Sequence, residues 1–346
     1  MTKSALKSWQ PPESWKRIRT IDLHTGGEPL RVILDGIGEI PGAGILEKRR
    51  YFRDHLDDIR RALMWEPRGH ADMYGAVVTE PVNAGSDFGT FFLHNEGYST
   101  MCGHAIIALT TLMLDTGAIA VRQNPQPLVI DAPPGLIRAR GWMEGGKTSR
   151  VDFLNVPSFV LMQDRWVEVE GIGRVKFDIA YGGAFYALVE AETLGLVLDA
   201  AHYDQLVDWG RRIKKSIVGQ FAIEHPFEKD LSFLYGTIFT GRALDPGNHS
   251  RNVCIFADGE VDRSPTGSGV SARAALHHLR GEFREGEELT IESILGTTMT
   301  VKVAETTTYG PHAAVIPEVS GSASFTGRHE FWIDPEDPLK DGIIFR

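Results

Sequence analysis

Two short patterns occur twice in this 346-residue chain, in the same order and at nearly one spacing. Asp22-Leu-His-Thr-Gly26-Gly27 returns as Asp178-Ile-Ala-Tyr-Gly182-Gly183, 156 residues later. Thr100-Met-Cys-Gly-His-Ala105 returns as Ser264-Pro-Thr-Gly-Ser-Gly269, 164 residues later. One glycine-containing match arises easily by chance. Two, at an offset near half the chain, point to a duplicated unit, and such a period constrains architecture before local propensity does. At ~100–200 residues per domain the length accommodates two domains. The expectation is an α/β (α+β) fold of two pseudo-symmetric domains, 1–155 and 156–311. The boundary falls near Asn155-Val156-Pro157, and the tail from about 312 to 346 returns to the first domain.

The second pattern opens a helix in each half. Thr100 and Ser264 have N-capping side chains, and Pro265 suits a first helical position, where a missing N–H costs nothing. After Cys102 the run AIIALTTLMLD is apolar on nearly every face, the mark of an enclosed helix, and it stops at Gly117. After Thr266 the run GVSARAALHHLR stops at Gly281, again 164 residues on. Glycine just past the last turn is a common terminator. Short β-rich stretches bounded by Gly and Pro, among them Leu30–Leu34, Ala76–Thr79, Ile137–Arg140, Ala184–Val189 and Asn252–Phe256, supply the strands. Each half is expected to wrap a sheet around one buried helix, with a cleft between the two helix N-termini.

Composition narrows the partners. The formal charge is −10, and Lys48-Arg49-Arg50 and Lys214-Lys215 are too short to form a basic patch. That disfavours nucleic acid and anionic membrane surfaces. Two cysteines, Cys102 and Cys254, rule out a disulfide framework and a cysteine-ligated zinc cluster. HTGGE at 24–28 lacks the ending of a phosphate-binding loop and the dinucleotide glycine spacing, and no metal motif is present. The N-terminus has no signal-like apolar stretch, and Ala105–Val121 is interrupted by Thr110, Thr111, Asp115, Thr116 and Gly117. A soluble cytoplasmic protein is the expectation.

If the two helices meet end-on, their free N–H groups and positive ends converge on one point. Such a point binds an anion, each helix end contributing roughly 0.3–1 kcal/mol and up to ~2 when partly buried. Gly103 and Gly267 let the backbone approach a ligand closely. Cys102, read as the second helical residue, is expected to have its thiol lowered from ~8.5 into the ~3.5–7.5 range. The plainer reading is a small buried hydrophobe, against which His104 nearby and the polar Thr266 at the duplicated position both count. His104 by itself reads as structural, directed to a different side from Cys102. Cys254, in NVCIF, reads as core. Asp262, in DGEVDRSP, is either a solvated turn residue or a carboxylate reaching an amine, and Arg263 reads as an ion-pair partner.

DLHTGGEPLRV, PRGHADMYGAV, MCGHA, IAYGGAFYA, RNVCIFADGEVDRSPTGSG and AVIPEVSGSASFTG resemble segments of the proline racemase family, in order, from about Ile18 to the C-terminus. The resemblance implies a diaminopimelate-epimerase-like fold, a small imino-acid substrate, no metal or organic cofactor, and a homodimer. In the family's racemases and epimerases, two cysteines face opposite sides of the substrate α-carbon. The first matches Cys102, but Thr266 stands where the second belongs, and a hydroxyl is far too weak an acid or base for that exchange. The Cys/Thr pairing is that of the trans-3-hydroxy-L-proline dehydratase branch. In that substrate the hydroxyl lies on the same ring face as the α-proton, so one residue can remove the proton and return it to the departing hydroxide. The implied roles are Cys102 as base, with backbone N–H groups of Gly103, His104, Gly267 and Ser268 on the carboxylate and Asp262 on the ring ammonium. The implied product is Δ1-pyrroline-2-carboxylate. A 4-hydroxyproline epimerase or proline racemase is the alternative. A non-catalytic imino-acid binder is disfavoured by Cys102, and a Cys-His hydrolase by the direction expected of His104.

Overall fold

In the computed structural model, which describes residues 3–345, the run after Cys102 is helical over Gly103–Asp115. Every residue from Gly103 to Leu114 is buried. With no polar face to turn to water, such a helix is stable only when enclosed. Its counterpart is Gly267–Leu279, buried from Gly267 to Leu276. Both stop as the sequence predicts. Gly117 and Gly281 adopt the same left-handed φ of 73°, and their N–H groups close on the carbonyls of Leu114 and His278.

The helix starts differ from expectation. Cys102 is itself the N-cap of the first helix, and Thr266 holds that position in the second. The two hydroxyls expected to cap are committed one step earlier. Thr100 donates to the Gly183 carbonyl at 2.7 Å, and Ser264 Oγ accepts the Thr266 N–H at 3.1 Å. Pro265 therefore precedes the helix instead of opening it.

Seven strands follow the same pairing sequence in each half. In the first they are Lys16–Thr25, Glu28–Asp35, Tyr74–Thr79, Phe88–His94, Gln126–Ala132, Gly135–Glu144 and Lys147–Leu154. In the second they are Gly173–Tyr181, Phe185–Glu190, Leu234–Gly241, Ser250–Phe256, Glu288–Glu292, Thr298–Tyr309 and His312–Gly321. Successive pairs run antiparallel, parallel, antiparallel, parallel, antiparallel, antiparallel in the first half. The second half repeats that order. Each set is extended by one further antiparallel strand, Ala323–Ile333 on Lys16–Thr25 and Ser158–Val169 on Gly173–Tyr181. His312–Gly321 also pairs with Ser158–Phe159 and with Val151–Leu154, joining the two sets into one sheet. The fold is the expected α/β arrangement of two sheet-wrapped helices.

Parallel neighbours need long crossovers. The helices Ile45–His55, Asp57–Met64 and Tyr203–Val218, which the sequence reading missed, lie in them. Ile45–His55 buries only Ile45 and Phe52, too little for a clear apolar stripe. Among the described residues, no helix is long and apolar enough to cross a membrane.

Candidate active site

The two helices meet through Gly103 and Gly267. A Cβ on either would stand 2.6 Å from the other's Cα, so no side chain fits between the backbones. The first N–H groups of each helix have no acceptor within it. They sit at the wall of a tight cavity of about 20 Å³ lined by Cys102, Gly103, His104, Asp262, Thr266, Gly267 and Ser268. The fold thus brings all seven residues singled out in the sequence to one place. Tyr74, Met101, Tyr186, Tyr235, Cys254 and Phe256 complete the wall. The sequence reading missed these, because an aromatic on an apolar strand reads as core until two halves are brought together. Tyr74 and Tyr186 lay within segments that carry the family resemblance, the one signal that could have marked them.

Cys102 corrects the sequence in two respects. Its thiol accepts the Ala105 N–H at 3.4 Å, as an N-cap does. Burial nevertheless pushes it well above the ordinary thiol range, and the Ala105 hydrogen bond only offsets this. The helix end that should lower it acts on a group removed from water, beside the carboxylates of Asp262 and Glu28, which also raise it. His104, in turn, does not point away. Its Nδ1 lies 3.1 Å from Cys102 Sγ, and its ring also meets the Pro29 carbonyl. Burial lowers the imidazole to about 3, so it is neutral at neutral pH.

The second half supplies the other wall. Asp262 is 5% exposed, and its Oδ1 accepts the Ser264 N–H at 2.7 Å. Burial raises its carboxyl to about 6, against the hydrogen bonds from Ser264 and Thr266 that favour the charged form. Arg263 does not neutralise it directly, because its guanidinium pairs with Asp72 at 2.8 Å. A ligand ammonium is the natural counter-charge. Thr266 holds φ at 68°, a region that β-branched residues rarely occupy and that costs about 1–3 kcal/mol. Its buried hydroxyl lies beside Asp262 and Cys254 without a hydrogen bond of regular geometry. Cys254 is fully buried, as a core residue should be, yet it also lines the cavity next to Thr266. Ser268 Oγ and Tyr186 Oη are 2.7 Å apart.

Paired helix ends, a buried carboxylate and a buried thiol thus line one small pocket. The family described as proline racemase matches residues 20–344, and the chain belongs to it. It is 50% identical to a trans-3-hydroxy-L-proline dehydratase of Colwellia psychrerythraea, over 98% of this chain and 97% of that one. It is 43% identical to a 3-hydroxyproline 2-epimerase of Burkholderia multivorans, over 96% and 99% respectively. Among solved structures it superposes on a hydroxyproline epimerase of Agrobacterium vitis with bound trans-4-hydroxy-L-proline. The TM-score is 0.91 at 29% identity, over 96% of each chain.

Proposed function

We propose that this chain is a trans-3-hydroxy-L-proline dehydratase, a hydro-lyase giving Δ1-pyrroline-2-carboxylate. The observation that carries it is the asymmetry of the two helix caps. Cys102 caps one, and Thr266, which cannot exchange a proton with carbon, caps the other. The half-identical Colwellia relative bears that name.

In this reading the substrate carboxylate lies between the helix ends, on N–H groups of Gly103, His104, Gly267 and Ser268. Its ammonium meets Asp262, and its α-proton faces Cys102. The arriving ammonium and the two positive helix ends offset the burial that keeps the thiol protonated, so the base is made by binding. Thiolate then removes the α-proton, and negative charge developing toward the carboxylate is held by the N–H groups. Loss of the 3-hydroxyl from the same face completes a syn elimination, and the enamine tautomerises. His104, at about 3, is too weak a base to draw the thiol proton for acyl transfer, which counts against a Cys-His hydrolase.

Epimerisation is the second reading, favoured by the Cys254 thiol next to Thr266 in the cavity wall and by the Burkholderia relative. Purified protein given trans-3-hydroxy-L-proline, trans-4-hydroxy-L-proline and L-proline separately should form pyrroline-2-carboxylate from the first alone. Epimerisation of the second without dehydration of the first would sink the proposal. Cys102→Ser should abolish turnover. Thr266→Cys should interconvert L-proline and D-proline, an inversion that the wild-type protein with one thiol on one face should not catalyse.

The repeated pairing order supports a boundary near 155/156, but His312–Gly321 is the last strand of the second set, so the second domain extends to about 321 and the segment that crosses back is Ala323–Ile333. The family resemblance supports a homodimer, which light scattering would test.

A further inference from the structure

The proposed elimination leaves one proton unassigned, the one that converts the departing hydroxide into water. The donor must stand on the Cys102 side, because the 3-hydroxyl shares a ring face with the α-proton. His104 is ill suited. One side of its ring meets the Pro29 carbonyl, its Nδ1 meets Cys102 Sγ, and it carries no extra proton at neutral pH. Asp262 belongs to the other wall, where the ammonium is expected.

Tyr74 remains. It opens the strand Tyr74–Thr79 and lines the cavity. Its ring packs edge-on against His104 at 4.8 Å and against Phe256 at 6.1 Å. Its hydroxyl lies beside the Cys102 thiol and the Ser99 and Tyr235 hydroxyls. Tyr235 Oη, also at the wall, is buried without a hydrogen bond of regular geometry, beside both the Ser99 hydroxyl and the Tyr74 phenol. Burial pushes this phenol well above its ordinary range, and the same burial makes a hydroxide departing beside it a stronger base, so the proton can pass as the C3–O bond breaks.

Building on the dehydratase reading, we propose that Tyr74 is the acid that protonates the leaving 3-hydroxyl and that Cys102 restores it. The Cys102 thiolate takes the α-proton. The Cα–H electron pair forms the Cα–C3 double bond, and the C3–O pair leaves on oxygen, which takes the phenolic proton and departs as water. The resulting phenolate receives the proton that Cys102 had accepted, regenerating thiolate and phenol together. No oxidant or second reactant is needed.

Tyr74→Phe keeps the ring contacts and removes the hydroxyl with its proton, so it tests the assignment when elimination and α-exchange are read separately. Positioned proton transfer is worth ~10²–10⁴-fold. The variant should therefore lose about that factor in kcat for trans-3-hydroxy-L-proline. In heavy water, recovered substrate should gain α-deuterium faster than it is dehydrated, because Cys102 still works. Elimination of chloride from trans-3-chloro-L-proline, a leaving group that needs no proton, should fall far less. Unchanged dehydration in the variant overturns the assignment. So does a loss of α-exchange equal to the loss of elimination, since Tyr74 would then act on Cys102 or on packing. Failure of the wild-type protein to dehydrate the substrate at all would instead overturn the dehydratase reading.

Discussion

Asp262 shows how one residue's surroundings set a measurable quantity. Its carboxyl is held at about 6 by burial, so the anion that meets an ammonium is present above that pH and is lost as pH falls through it. Cys102, pushed well above its ordinary range, ionises later. Log kcat/KM should accordingly climb with a slope near two below about 6 and near one above it. In Asp262→Asn the break near 6 should vanish along with most of the activity. A wild-type profile without that break would refute the assignment. The stability contribution has the opposite sign. A carboxyl raised from 3.8 to about 6 binds its proton more tightly in the fold, so this group adds stability as pH drops through that window. The Cys102/Thr266 contrast was legible in the sequence because a repeat sets the two positions side by side. The direction of the thiol's shift was not, because desolvation comes from atoms that the sequence keeps far apart.

At the scale of the helix, the constraint is the Gly103–Gly267 contact. Gly103→Ala would drive a methyl to 2.6 Å from backbone at Gly267 and 3.1 Å from the Phe153 ring. Neither helix can give way without moving its N–H groups. The expected result is a loss of about 1–3 kcal/mol in thermal or urea unfolding, the usual cost of overpacking. It should come with a fall in kcat/KM larger than that of a comparably destabilised variant elsewhere. Activity and stability close to wild type would show that the helix ends need not touch. Both helix ends were readable, since a left-handed glycine is a local requirement. The starts were not, because Thr100 has the chemistry of a cap but its hydroxyl is taken by Gly183, 83 residues away.

For the whole molecule, the question is what keeps the two halves registered around the cavity. Arg263 binds across them: its guanidinium pairs with Asp72, and its backbone N–H donates to Glu28 Oε2 at 2.8 Å. Glu28 is fully buried and, with Asp262 beside it, is pushed well above the ordinary carboxylate range. Arg263→Met would leave three carboxylates facing one another with the cation gone. Breaking a buried pair costs about 3–5 kcal/mol, and the 30% exposure of the Arg263 side chain reduces that to roughly 1–3. Because protonation relieves like-charge contact, the drop in Tm should be larger at pH 8 than at pH 5. An equal drop at both would mean that Arg263 contributes packing alone.

The sequence by itself determined the duplicated unit, the two enclosed helices with their glycine stops, and the single-thiol asymmetry between their matched Cys102 and Thr266 positions. These are properties of residue type and spacing, and they hold wherever the chain goes. The strand Lys16–Thr25 was not legible, because its partners include Ala323–Ile333 at the far end of the chain. Only the tertiary structure decided that Cys102 rests as a thiol, that His104 turns toward it, and that Tyr74, Tyr235 and Cys254 wall the cavity. Each depends on desolvation and on proximity between the two halves, and neither exists until the sheets have closed around their helices.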